Sequence, residues 1–299
     1  MNNNVFGRRG WPKILPALGL APALLFYIGF HVYPSIMTAV YSLTQYDGII
    51  GTPLHFVGLL NYRDAFHGGF YQIGPAIRTT IIFALAVTFV QNAAGLALAT
   101  AFNGKWRGIT FYRAMIFLPW ILSVVVTGLI WSLMFAPLGG PMESIWQSLF
   151  GHQSAFFGSY RMALPLVIFV QIWQNTGFTM MVYLAGLQSI PQELFEAAEL
   201  DGASRWRRFR HVTVPMLASS TTVNVLLAVI GSLGAYDIIY VLTNGSFGTM
   251  TLGMYMFNTA FEGSSQLGYA SMIQMLQFGM VLIVTLILQR YLRRREVQL

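Results

Sequence analysis

The chain is 299 residues long, 56% hydrophobic and only 9% charged, with a mean hydropathy of +0.60. A soluble domain carries roughly 25% charged residues, so this composition excludes an ordinary soluble protein and points to several bilayer crossings. With no cysteine, disulfides, thiol catalysis and thiolate metal sites are excluded, and the net charge of +7 suggests nucleic acid only until the positions of the charges are considered.

Six apolar runs follow in order. The first, about Ile14 to Leu43, comes after Arg8, Arg9 and Lys13. It is too long for a cleavable signal core and holds Pro16, Pro22 and Pro34, so a transmembrane helix is expected. A loop from Thr44 to Pro75 leads to a second helix over about Ile77 to Phe102. A short basic link (Lys105, Arg107, Arg113) precedes a third over about Tyr112 to Phe135. The loop Ala136 to Tyr160 contains Pro141 to Phe150, whose pattern suits an interfacial helix. A fourth helix is expected over about Met162 to Leu187 and a fifth over about Met216 to Leu242. After a loop to about Gln266, the sixth runs from Leu267 to Leu288 and ends in an arginine-rich tail. The expected class is all-α, a polytopic membrane protein with six transmembrane helices.

Six crossings place both termini on one side. On that side lie fourteen of the seventeen Lys and Arg residues; the other holds Arg63, Arg78 and Arg161. The excess of cations marks the cytoplasmic face, so both termini, the 103–113 link and the segment between the fourth and fifth helices are expected there. The arginines are accounted for by topology, and nucleic-acid binding is set aside.

That segment, Ser189 to Pro215, is the most polar part of the chain. It holds Glu193, Glu196, Glu199 and Asp201, with Arg205, Arg207, Arg208 and Arg210. Ser189 and Gln192 fit a capping box, and Pro191 fits a first helical turn. Leu194, Phe195 and Ala198 fall on one helical face. Asp201-Gly202 is a turn signal, Ser204 can cap a second short helix carrying Trp206 and Phe209 on one face, and Pro215 permits a sharp turn into the next apolar run.

The pattern Glu196-Ala197-Ala198, then Gly202, then Val212 to Pro215 resembles the EAA loop of ABC importer permeases. Phe56 to Tyr62, Leu184 to Gln188, Gly268 to Ser271 and the terminal Arg-Arg-Arg-Glu-Val are similar to maltose/lactose-type sugar permeases, so the resemblance covers nearly the whole chain. It implies a type I ABC importer permease fold. Residues 1–76 would form the N-terminus, first helix and external loop. Residues 77–289 would be the core permease domain, with the coupling loop at 189–215, and 290–299 the basic tail. It also implies a multi-pass protein of a prokaryotic inner membrane, working with a second related permease, two ATPase subunits and an external solute-binding protein that delivers a sugar. Glu196, Ala197, Ala198, Asp201, Gly202, Arg205 and Pro215 would couple to the ATPase, where small residues allow close docking. The family's usual Gly-Gly-Pro is replaced by Asn244-Gly-Ser-Phe, and Gln274 and Gln277 depart from its more apolar final helix.

No catalytic set is visible. The five histidines are scattered without metal-ligand spacing, and no phosphate-binding Gly-rich loop ending in Gly-Lys-Ser/Thr occurs. The chain is therefore expected to be no enzyme and to carry no cofactor, with Mg-ATP held by partner subunits. Gln171, Gln174 and Asn175 share a face of the fourth helix, and Asn224 lies near the midplane in the fifth. Gln91-Asn92 are central in the second helix, and Gln274 and Gln277 share a face of the sixth. Such groups are costly in hydrocarbon, and amides supply the donors and acceptors that sugar hydroxyls need. Trp173, Tyr236 and Tyr240 are candidate stacking partners, and Asp237 is the only acidic residue within the runs. Gln171, Gln174, Asn175, Asn224, Tyr236, Asp237 and Tyr240 are the candidate substrate pathway, with interhelical hydrogen bonding as the competing role. Alternatives are a secondary sugar transporter or an ABC permease for another solute such as a polyol or glycerol phosphate. A secondary transporter needs a coupling carboxylate or inverted repeats, and a membrane-embedded enzyme needs a polar catalytic set; neither is visible.

Overall fold

Proline has no N–H for the helix ladder, and the first crossing shows how the chain accommodates it. In the computed structural model, which describes residues 14–49, 51–67, 73–104, 106–262 and 266–294, α1 (Ile14–Tyr27) passes through a π turn at Ile28–Val32 into α2 (Tyr33–Tyr41), just ahead of Pro34. The same device recurs at Phe209–Thr213, two residues before Pro215. The cations Arg8, Arg9, Lys13, Lys105 and Arg295 lie outside the described residues.

After α2, a two-residue strand pair, β1 (Thr44–Gln45) with β2 (His55–Phe56), joins antiparallel. The short α3 (Leu60–Phe66) is pinned to it by Asn61, whose Nδ2 donates to the carbonyls of Ser42 and Thr44, both at 3.0 Å. The second crossing is α4 (Gly74–Ala101).

The third expected helix is two. α5 (Ile109–Ile121) and α6 (Val124–Met134) meet at a 100° bend at Leu122-Ser123. Pro119 weakens the ladder there, Leu122 is extended, and the Ser123 hydroxyl caps α6 by accepting from the Val126 N–H. α7 (Pro141–Phe150) is the expected surface helix, and α8 (Ala163–Ser189) the fourth long one. α9 (Gln192–Leu200), α10 (Arg205–Arg208) and α11 (Val214–Met216) form the polar segment.

The fifth expected helix also divides. α12 (Ala218–Leu233) stops at Gly234, and α13 (Asp237–Thr243) resumes after Tyr236. The loop expected up to about Gln266 contains a helix, α14 (Leu252–Phe261). α15 (Leu267–Arg293) closes the fold.

α8 is the central post. Val167 and Val170 pack with Phe83 and Val87 of α4 and with Ile238 and Ile239 of α13, while Met180, Tyr183 and Leu184 pack with Ala99 and Leu217. Gly177 lets α5 come close, since a Cβ there would lie 2.8 Å from the Phe117 Cα. Small residues at crossings matter because lipid is as apolar as leucine, so dispersion rather than water exclusion holds such helices together. Outward apolar side chains such as Phe30 (74% exposed) and Phe89 (70%) are left for lipid.

Gly19–Tyr41, Gly74–Ala101 and Leu267–Arg293 are long and apolar enough to cross a membrane, and each bent pair adds one more if it counts as a single span. α8 has 27 residues, about 40 Å at ~1.5 Å per residue, but its amides dilute its apolar character.

Candidate functional site

On one face of α8, Gln171, Asn175, Phe178 and Thr179 recur at helical spacing, and they open onto a cavity of about 260 Å³. Gln91 from α4, Trp120 from α5, and Asn224 and Gly231 from α12 also line it, with the apolar Val87, Leu227 and Ala228 between them. Trp120 stacks on Phe178 with centroids 4.9 Å apart and planes 19° apart. An aromatic wall thus stands beside a set of amides, the combination that recognises a ring bearing hydroxyls.

The hydrogen bonds divide each amide into used and unused halves. Gln91 Nε2 donates to the Thr179 hydroxyl at 2.8 Å, and Asn224 Nδ2 to the Thr179 carbonyl at 3.3 Å. These bonds tie α4 and α12 to α8. Asn175 Nδ2 is spent on the Gln171 carbonyl. Asn224 is 2% exposed, yet its Oδ1 has no partner among the described residues. The Tyr183 hydroxyl donates to Asn92 Oδ1 at 3.0 Å. A buried amide oxygen left unmade costs about 1–3 kcal/mol, an energy that a ligand hydroxyl returns.

At the C-terminal end of α8 the polar segment is mostly exposed, and no residue of α9 is fully buried. The Gly202 N–H bonds to the Glu199 carbonyl and the Ala203 N–H to the Ala198 carbonyl, the paired bonds of a Schellman stop. Gly202 has φ +72°, and nothing lies within 4 Å of where its Cβ would be. Its glycine therefore serves the turn and leaves the outer surface flat. Ser204 caps α10 by accepting from the Arg207 N–H, and Arg208 pairs with Glu199 at 2.7 Å, fixing α10 against α9. Trp206, 68% exposed, stacks on Phe209 at 5.6 Å. On the inner side Phe195 packs against the cluster of Ala99, Tyr183, Leu187 and Leu217, so α9 rests on the ends of α4, α8 and α12. The expected capping box does not form. Ser189 still belongs to α8, its hydroxyl donating back to the Gly186 carbonyl, and Pro191 takes the cap position while Gln192 bonds to Glu196.

The binding-protein-dependent transport system inner membrane component model matches residues 91–298. The chain belongs to that family. The permease is 33% identical to a probable ABC transporter permease protein of Pyrococcus horikoshii, over 90% of this chain and 92% of that one. It is 32% identical to the multiple sugar-binding transport system permease protein of Streptococcus mutans, over 92% and 93%. Among solved structures it shares the fold of a chain of a bacterial alginate ABC transporter, crystallised with its alginate pentasaccharide-bound periplasmic protein. That likeness has a TM-score of 0.83 at 20% identity over 96% of this chain and 98% of the other. The chain is thus a membrane permease subunit of an ABC import system, not an enzyme, and has the type I importer permease fold.

Of the permease's expected pathway residues, the structure brings Gln171, Asn175 and Asn224 together and sends the rest elsewhere. Gln174 Nε2 donates to the Leu122 carbonyl at 3.1 Å, closing the bend between α5 and α6. Gln277 does the same for the other break, donating to the Leu233 carbonyl at 3.0 Å. Tyr236 and Tyr240 are directed at Phe257 of α14, with centroids 5.5 and 5.1 Å away. Asp237 starts α13, its Oδ1 accepting from the Ile238 N–H, and Trp173 packs edge-on against Trp131. Trp120, Phe178 and Thr179 were missed; the last two stand seven and eight residues after Gln171, a spacing that helical periodicity reveals once the face is chosen. Among the described residues no group of three or more His, Asp or Glu could hold a metal.

Replacing Gln174 with Leu orphans the Leu122 carbonyl and is expected to destabilise the permease by about 1 kcal/mol. A fall of about 2–4 °C in the detergent melting temperature is the measurement, with Gln171→Leu leaving it unchanged.

Proposed function

We propose that the cavity between α4, α5, α8 and α12 is this subunit's half of a pathway for a sugar, delivered by an external solute-binding protein. Asn224, a buried cavity-lining residue whose Oδ1 has no partner among the described residues, carries the reading. Its volume of about 260 Å³ falls just under the roughly 300–1,000 Å³ usual for ligand sites, which fits a wall that a second, related permease completes. The sugar-transporting relative in Streptococcus mutans supports the substrate class. Trp120 and Phe178 supply the ring-stacking surface, and Gln171 and Asn224 the hydrogen-bonding groups.

In this reading six crossings leave both termini cytoplasmic, on the side with fourteen of the seventeen cations. α9 then docks on an ATPase subunit, and two such subunits closing on Mg-ATP push α9. Glu196 and Ala197 present the docking face, and Ala198, on the inner face with Phe195, lets α9 lie close to the helix ends. The Asp201-Gly202 turn and Arg205 set the edge of the docking face, and Pro215 sets the 67° angle at which the α10–α11 segment meets α12. Phe195 passes the displacement to the base of the cavity-forming helices. Alternating access follows, because the helices bordering the cavity are those on which the coupling helix rests.

Asn224→Ala removes the free acceptor together with the 3.3 Å bond to the Thr179 carbonyl, while the Gln91 bond to Thr179 still holds α4 to α8. Sugar uptake by the assembled transporter is expected to fall about tenfold, with membrane level and ATPase co-purification unchanged. Uptake at the wild-type rate would show that Asn224 serves only to hold α12 to α8.

A further inference from the structure

The turn between α4 and α5 concentrates cations that neither transport nor coupling uses. Residues 100–115 contain Lys105, Arg107 and Arg113 and no carboxylate. The backbone reverses through Gly108 at φ +88°. Arg113, half-buried, donates from Nε and Nη2 to the carbonyl of Phe102, where α4 ends. Nη1 makes no hydrogen bond among the described residues. Arg107 is exposed, and among the described residues neither arginine forms an ion pair. Both line a cavity of about 670 Å³ together with Asn103, Trp106 and Gln188. Trp106 sits 5.3 Å from Tyr112 and 6.1 Å from Phe102, and both Trp106 (45% exposed) and Tyr112 (48%) offer ring surface beside the guanidinium groups.

We propose that this cavity binds the phosphate head of an anionic membrane phospholipid. Depth is the first argument. The cavity lies where α4, α5 and α8 end together, the level at which aromatic rings mark the membrane interface and basic pockets between helices take lipid headgroups. Chemistry is the second. Two guanidinium groups without carboxylates match phosphate oxygens, and the exposed rings need an apolar ligand part, which glycerol and acyl chains provide and a soluble phosphate does not. Gln188 lies four residues before α9, so a bound headgroup bridges the α4–α5 turn and the root of the coupling helix.

The test uses the complete transporter in nanodiscs of phosphatidylcholine, with and without phosphatidylglycerol, read by native mass spectrometry and melting temperature. Phosphatidylglycerol is expected to be retained in preference to phosphatidylcholine and to raise the melting temperature. Arg107→Ala is expected to weaken that retention about fivefold, Arg107→Lys to preserve most of it, and Arg293→Ala in the tail to leave it unchanged. Equal retention of both lipids overturns the proposal, as does an equal loss in Arg293→Ala, which would mean general surface charge. Stabilisation by inorganic phosphate alone in phosphatidylcholine discs would assign the cavity to a soluble anion. Release of the ATPase subunits by Arg107→Ala with lipid retention intact would assign it to a protein contact.

Discussion

Gly202→Asp is expected to abolish sugar uptake in a transporter that still inserts and melts close to the wild-type temperature. The separation follows from the geometry. Gly202 stands at φ +72°, a left-handed conformation that costs an ordinary residue roughly 1–2 kcal/mol and that Asp tolerates better than most. No atom lies within 4 Å of the new Cβ, so the side chain starts in open space and the Schellman bonds to Glu199 and Ala198 survive. What changes is the outward surface, where a carboxylate now projects beside Asp201. If that surface seats in an ATPase subunit, an unpaired charge at the contact costs several kcal/mol, and at about 1.4 kcal/mol per tenfold uptake falls by two orders of magnitude or more. The readouts are uptake in vesicles, the amount of permease in the membrane, and ATPase stimulation by the solute-binding protein. Wild-type stimulation would remove α9 from the coupling path.

The same segment shows what sequence reveals well. Gly202, Ser204 and Pro215 act through local backbone rules, so the stop of α9, the cap of α10 and the sharp turn before α12 were all legible. The capping box at Ser189 failed because a tertiary contact outweighed a local one: Ile190 buries its side chain with Leu187 and Leu217, which keeps Ser189 in α8. The two broken crossings were hidden for a different reason. Pro119 precedes its break by three residues and Gly234 lies at the other, but apolar residues flank both, and hydropathy cannot distinguish one continuous helix from two. The signal for the breaks lay on other helices, in Gln174 and Gln277, which supply the donors that the freed carbonyls need inside a membrane. Read as one face, Gln171, Gln174 and Asn175 looked equivalent. At about 100° per residue, Gln174 is about 60° from Gln171 on the side away from Asn175, enough to turn it toward Leu122 while its neighbours meet the cavity.

Gly231 and Gly177 are both mid-membrane glycines, and leucine is expected to act on them in opposite ways. Gly177 faces the backbone of α5, where an added Cβ would lie 2.8 Å from the Phe117 Cα. Backbone cannot step aside as a flexible side chain does, so Gly177→Leu pushes α5 off α8, costs about 3 kcal/mol or more, and leaves little permease in the membrane. Gly231 lines the cavity, and nothing lies within 4 Å of its added Cβ. Leucine there fills open space, and within α12 it is the better helix former by roughly 1 kcal/mol, so the protein should insert and melt at or above the wild-type temperature. Its side chain nevertheless occupies much of a cavity of about 260 Å³ opposite Gln171 and Asn175. A solute passing there loses both its room and its access to Asn224 Oδ1, and uptake should drop to background while the ATPase subunits remain bound. A Gly231→Leu transporter that carries sugar at the wild-type rate would place the pathway elsewhere. One that is stable, fully assembled and inactive would leave the cavity as the route, because the added side chain enters at a position with open space around its Cβ and fills the cavity itself.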